Sequence, residues 1–216
     1  SDNGASAEQM IRGDGHDIAS SPGSDRSFLG IGPGWSGAAN TPLRRHKSWN
    51  HEGGIATPLI VQWPAGIKAR GELRHTPGHL IDIVPTLLEL AGAPAPLRWN
   101  GETRPPLAGR RLAPAFERDQ TISREFIFFS HQGNRALRAD DWKIAAAGPD
   151  SPWELYNLAT DRSETRNLAA SNPAKLAELQ KGFLELAADN QAFPIGAGNW
   201  LRLRPQDRVS TPYRSW

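Results

Sequence analysis

The chain has 216 residues, 38% hydrophobic and 22% charged, with 21 Gly and 18 Pro, which is enough to bury a core in one or two domains joined by many loops. A formal net charge of +2 is far below what a nucleic-acid-binding arm carries, no apolar run is long enough to cross a bilayer, and no signal peptide leads the sequence. Cysteine is absent, so disulfides, thiolate zinc sites and a cysteine nucleophile are excluded from this segment.

The opening Ser1-Asp2-Asn3-Gly4 lacks Met and a structured lead-in, and reads as a passage internal to a longer protein. Absence of a leader therefore says nothing of compartment. Asp2 and Asn3 offer a carboxylate and an amide carbonyl, two hard oxygen donors of the kind Ca²⁺ or Mg²⁺ takes, although an isolated Asp-Asn-Gly also makes an Asx turn. Calcium needs about six to eight oxygens, so further ligands must come from elsewhere. Residues Ser1 to Trp35, rich in Gly, Ser and Asp, predict a long surface loop with at most one helical turn after Ala5. Within it Asp14, His16 and Asp17 are either metal ligands or ordinary turn chemistry.

The stretch Asn40 to Trp63 organises the rest. A basic cluster, Arg44-Arg45-His46-Lys47, leads through the turn Glu52-Gly53-Gly54 to the apolar run Leu59-Ile60-Val61. Bounded by Pro58 and Pro64, that run predicts a short strand buried on both faces, or a piece of buried helix. Lys47 and Glu52 then lie on a shaped loop entering a rigid sheet, a candidate anion site, while the alternative for the basic run is a solvated face.

Further on, Leu80, Val84, Leu87 and Ala91 follow a helical period, with Asp82 as N-cap, Pro85 in the first turn and Gly92 as the stop, and the segment is predicted to be core. From Ala93 to Arg111 the chain is Pro- and Arg-rich and reads as surface. A composition shift near Pro114 to Ser123 marks a boundary. Strands are predicted at Phe126 to Ser130, Arg135 to Arg138, Trp142 to Ala145 and Trp153 to Leu158, separated by turn signals, which makes an antiparallel meander. Asn172-Pro173 starts a helix reaching about Asp189 whose apolar face (Leu176, Leu179, Phe183, Leu186, Ala187) covers one side of the meander and leaves the other solvated. The expected organisation is residues 1–115, 116–192 and a tail, 193–216.

Several motifs together resemble the C-terminal half of type I sulfatases, the arylsulfatase family. They are the opening Ser-Asp-Asn-Gly; the stretch from Gly32 to Arg44; Lys47-Ser-Trp-Asn-His-Glu-Gly-Gly running to Ile67; the helix from His79 to Gly92; Gly133 to Ile144; and Trp153 to Ala169. The resemblance implies an α/β, alkaline phosphatase-like mixed sheet with flanking helices, present in part, followed by a small C-terminal antiparallel sheet packed on one helix. It implies that Asp2 and Asn3 are two calcium ligands, and that Lys47, five residues before Glu52, is the catalytic lysine that holds the sulfate ester. It further implies a formylglycine nucleophile, a first pair of metal-binding aspartates and a catalytic histidine, all in a preceding half and absent from this sequence, so that the segment alone is inactive. A sulfate ester of an aryl or carbohydrate alcohol is the implied substrate, with no nucleic-acid or membrane partner and a periplasmic or secreted bacterial setting.

The chemistry accounts for these residue types. Sulfate ester hydrolysis gathers negative charge on nonbridging and leaving oxygens, and a divalent cation with a lysine ammonium offsets that charge. Two passages approach the family's nucleophile motif of Cys or Ser, any residue, Pro, any residue, Arg. Asn40 to Arg44 has the wrong first residue, and Ser210 to Arg214 fits but lies at the wrong end of the chain. The competing readings are a related phosphodiesterase or phosphonate monoester hydrolase, against which Asn3 stands where many of those relatives carry His, and a non-catalytic basic binding module, whose affinity would fall steeply with salt.

Overall fold

The computed structural model describes residues 3–7, 16–27 and 30–193. In chain order its elements are α1 (Gly32–Ala39), α2 (Glu52–Ile55), a 3₁₀ turn (Leu80–Asp82) running into α3 (Ile83–Leu90), β1 (Arg98–Trp99), β2 (Glu102–Thr103), α4 (Ala113–Glu117), β3 (Ile127–His131), β4 (Asn134–Ala139), β5 (Trp142–Ala146), β6 (Glu154–Asn157) and α5 (Pro173–Asp189). They fall into two units, Ser1–Leu59 with Phe128–Trp216, and Ile60–Ile127. The boundary expected after residue 115 lies inside the second.

In the first unit the meander forms as the alternation and turns predict, with strand order β3-β4-β5-β6. Gln132 and Gly133 both take positive φ (51° and 85°), which suits the two-residue turn between β3 and β4. The register aligns Leu137 with Ile144 and Ile144 with Leu155, so three fully buried aliphatic residues lie side by side on one face. On α5, Leu179, Phe183 and Ala187 recur at four-residue spacing and are buried. Phe183 stacks on Phe128 (centroids 4.9 Å apart) and meets Trp153 edge-on at 5.0 Å. Asn172 and Pro173 occupy the predicted N-cap and first helical positions, but the Asn172 amide donates back to the Leu168 carbonyl and caps nothing ahead of it.

The other face of the meander is not solvated, contrary to the expectation. It carries Asn134, Arg138, Lys143, Glu154 and Tyr156, and Lys143 is fully buried. Pairs of ions, not apolar side chains, close that side.

Helix α1 interrupts the stretch read as a loop up to Trp35. Three glycines and a proline in eight residues oppose a helix by propensity, and tertiary bonds decide otherwise. Ser36, buried, donates from Oγ to the carbonyls of Gly32 (2.7 Å) and Ser6 (2.6 Å).

Leu59-Ile60-Val61 is not a strand. The segment after α2 has no regular structure, and these residues are 58, 87 and 42% exposed. A strand buried on both faces needs hydrogen-bonded neighbours and two covering layers, and the described residues give this run neither. In the second unit the helix forms where predicted, with Pro85 in the first turn, but inside out relative to the expectation. Leu80, Val84 and Leu87 are exposed, while Asp82, Pro85 and Thr86 are buried. The reason is a polar anchor. Asp82 accepts hydrogen bonds from the backbone of His79 (2.7 Å) and Arg110 (2.6 Å) and pairs with Arg124 (2.5 Å). Thr86 accepts from the Leu112 backbone (2.8 Å). Asp82 thus closes a capping box with His79 on the 3₁₀ turn instead of capping α3.

Candidate active-site segment

The loop bearing Lys47 is built by three sets of bonds. The first ties it to the N-terminal stretch. Asn40 accepts the Ala5 N–H at Oδ1 (3.1 Å) and donates from Nδ2 to the Arg45 carbonyl (3.2 Å). Gly4 donates to the Gly54 carbonyl (3.1 Å), and the Lys47 N–H donates to the Ala5 carbonyl (3.1 Å). Asn3 and Lys47, some forty residues apart in sequence, therefore belong to strips of backbone that are directly hydrogen-bonded. Asp2 lies outside the described residues.

The second set folds the loop on the α2 turn. Gly53 donates to the Arg44 carbonyl (2.8 Å), and a side chain at Gly53 or Gly54 would overlap the carbonyls of Arg45 or Trp49. Only glycine admits so close an approach. Arg45 and Ser48, on either side of His46 and Lys47, both hold φ in the left-handed region (69° and 80°), an uncommon state for non-glycine residues. Arg45 further lies over the Trp49 ring, 4.1 Å from its centroid.

The third set comes from the polar face of the meander. Asn134 donates to the Ser48 carbonyl (2.7 Å). Arg44 reaches both Glu154 oxygens (3.1 and 3.3 Å) and the Tyr156 hydroxyl (2.5 Å), and buried His51 contacts Glu154 at 2.6 Å. Lys143 Nζ sits 2.8 Å from Glu52 and 2.9 Å from Glu164, and Glu164 also accepts the Glu52 N–H (2.8 Å). An open cleft of about 580 Å³ lies beside this network, lined among others by Arg44, Glu154, Tyr156, Ser163 and Asn167.

Burial alone would raise the Glu154 carboxyl, but its hydrogen bonds and charge interactions with His51 and Arg44 outweigh that and hold it at about 2, from 4.5. Burial, with Glu154 adjacent, pushes the Tyr156 hydroxyl up. Because the folded carboxyl is the stronger acid, its contribution to stability is complete above the unfolded value near 4.5 and disappears as pH falls toward about 2. Chemical unfolding followed across that window should show an acid limb that Glu154→Gln flattens. At neutral pH the same substitution should cost about 1–2 kcal/mol, from the partners left unpaired in a partly exposed setting.

Asp17 makes a turn, accepting the Ala19 N–H (2.9 Å) and pairing with Arg26 (3.0 Å). Asp14 and the passage Ser210 to Arg214 lie outside the described residues. Asn40, in the near-match to the nucleophile motif, is a backbone staple. Among the described residues no group of three or more His, Asp or Glu is arranged to hold a metal ion. Asn3 has the donor chemistry for a hard cation but does not complete a site by itself. What sequence reasoning missed is the Lys143 and Glu164 pair, because Lys143 alternates with Ile144 and so falls on the face expected to be solvated.

Residues 45–189 match the family described as N-sulphoglucosamine sulphohydrolase, C-terminal. An uncharacterized sulfatase of Schizosaccharomyces pombe is 32% identical over 173 residues, 77% of this chain and 31% of the yeast protein. Arylsulfatase K of Danio rerio is 34% identical over 142 residues, 60% of this chain and 25% of the fish protein. Among solved structures, that of Ps i-CgsB aligns at 28% identity with a TM-score of 0.58, covering 77% of this chain and 36% of that one; it is also known in complex with k-i-k-neocarrahexaose. The chain thus spans about a third or less of the length of the curated relatives it matches. With its four-stranded antiparallel sheet and single long covering helix, in the alkaline phosphatase-like fold of its structural neighbours, this chain belongs to the sulfatase family, as a type I sulfatase C-terminal portion.

Proposed function

We propose that this chain forms part of a sulfuric ester hydrolase and supplies the ammonium that holds the sulfate group, Lys47, together with two oxygen ligands, Asp2 and Asn3, of a calcium or magnesium ion. The observation that carries this reading is the hydrogen bond from the Lys47 N–H to the Ala5 carbonyl, which brings the Lys47 loop against the strip that begins at Asn3. Held this way, a cation and an ammonium can act on one sulfate group from neighbouring strips of backbone. The lysine stabilises charge on the nonbridging and leaving oxygens as the S–O bond breaks, and its compact charge on a flexible stem suits an oxyanion that changes shape along the reaction. A bound divalent cation would add the same kind of charge stabilisation. The formylglycine nucleophile, the remaining metal ligands and the catalytic histidine are assigned to polypeptide outside this sequence, and the segment alone is inactive. The whole protein is assigned to a periplasmic or secreted compartment.

A carbohydrate sulfate ester is the favoured substrate class. The matching family takes its description from an N-sulphoglucosamine sulphohydrolase, and the structural relative Ps i-CgsB is known with an oligosaccharide bound. The full-length protein carrying this chain should therefore release inorganic sulfate from sulfated oligosaccharides, and chelation of divalent cations should abolish that release. Turnover of phosphodiesters or phosphonate esters with no release of sulfate would replace this reading with its nearest rival.

A further inference from the structure

Lys143 is the most deeply buried cation of the described residues, and the proposed chemistry does not touch it. It is fully buried on β5 between two carboxylates that are themselves buried, Glu52 (3% exposed) and Glu164 (1% exposed). The Lys143–Glu52 contact is a hydrogen bond, and Glu164 takes the backbone N–H of that same Glu52. Arg162, at 3.6 Å from the second Glu52 oxygen, balances the charge of the group. Two positive and two negative charges thus meet at one residue, the first of α2, five positions after Lys47.

An ion cluster of this kind is a poor way to gain stability, because well-packed apolar residues of similar volume often do as well or better. It is a good way to fix a position, since the hydrogen bonds hold both the main chain and the side chain of Glu52 in direction as well as distance. Asn134, on the neighbouring strand and the same face, holds the Ser48 carbonyl next to Lys47. The loop is therefore gripped from the meander at three points on the far side of Lys47, at Ser48, His51 and Glu52. Between those grips the backbone has little slack, because Gly53 and Gly54 pack against the loop's own carbonyls.

We propose that Lys143, with Glu164, is a positioning residue for Lys47: through Glu52 it sets where the Lys47 ammonium stands against the sulfate ester. This rests on the reading of Lys47 as the sulfate-binding lysine. Misplacing a charge-stabilising group by about an ångström costs on the order of 100-fold in rate. Removal of the grip should therefore lower kcat/KM for sulfate ester hydrolysis by about 10- to 100-fold, as loss of outer partners does at other sites.

The test is a double-mutant cycle in the full-length enzyme. The variant Lys143→Met/Glu164→Gln removes one charge of each sign and keeps an oxygen that can accept the Glu52 N–H. It is compared with Lys47→Ala and with the combination of all three changes. If Lys143 acts through Lys47, the clamp substitutions cost about 10- to 100-fold in the parent and little further in the Lys47→Ala background. Equal losses in both backgrounds, or full kcat/KM in the clamp variant alone, would overturn the inference while leaving Lys47 in its role. If Lys47→Ala itself leaves turnover unchanged, the reading of Lys47 fails first and this inference with it. Should the clamp variant fold poorly, Glu164→Gln alone is read in the same cycle, with thermal unfolding recorded for every protein.

Discussion

Lys47→Ala in the full-length enzyme is expected to cut kcat/KM toward a sulfate ester by about 10²–10³-fold, the size of effect seen when one preorganised charge stabiliser is removed from a reaction centre. The main-chain anchor of the loop should be kept. The Lys47 anchor to Ala5 is made by its backbone N–H, which alanine retains, and the flanking positive-φ positions are Arg45 and Ser48, not Lys47. Steady-state kinetics beside a thermal melt would separate the two quantities. Undiminished turnover removes Lys47 from the site, whereas a melt lowered in proportion to activity means the lysine is a structural element of the loop. Lys47→Arg should recover only part of the loss, because a planar guanidinium presents its charge in a different geometry from an ammonium.

The second large effect is expected at a residue with no side chain. A Cβ at Gly54 would overlap the Trp49 carbonyl and stand 2.7 Å from that of His46. The obstruction is backbone, which cannot swing aside as the end of a long side chain would. Gly54→Ala must therefore push the His46–Trp49 backbone outward or unseat α2. Overpacking of this kind costs about 1–3 kcal/mol and would lower the melting temperature by about 2–12 °C. Because Lys47 lies within the displaced stretch, activity should fall further than the melt alone explains, and an unaltered melt and rate would mean that the loop has room to spare. Gly4 invites a similar argument, since its Cβ would meet the Gly53 carbonyl.

The local rules worked where neighbours in sequence are neighbours in space. The meander announces itself through alternation and turn residues, and α5 through Asn172-Pro173 and the spacing of Leu179, Phe183 and Ala187. They failed where distant residues decide. Helix α1 has a sequence that argues against helix, and Ser36 reaching Ser6 overrides it. Periodicity placed α3 correctly but not its orientation, because nothing in Leu-Ile-Asp-Ile-Val-Pro-Thr says that Arg110 and Arg124 will collect Asp82 on the inner side. Similarly, Lys143 looked like a surface lysine on a half-exposed strand until Glu52 and Glu164 were brought to it from 91 residues upstream and from the loop after β6. The tight turn that follows Lys47 was legible from Gly53-Gly54. The bonds that hold its loop from Ala5, Asn134 and Lys143 were not, because each crosses between segments far apart in the chain.

The outward-facing Leu80, Val84 and Leu87 of the 3₁₀ turn and α3 have a practical side. A helix turned this way behaves as an adhesive strip, and such surfaces draw proteins to one another, to hydrophobic resins and to chaperones. Anyone producing this polypeptide by itself should plan for a solubilising fusion and low working concentrations. The same stickiness, measured by uptake of an environment-sensitive dye, offers a simple gauge of how much of that helix stays exposed.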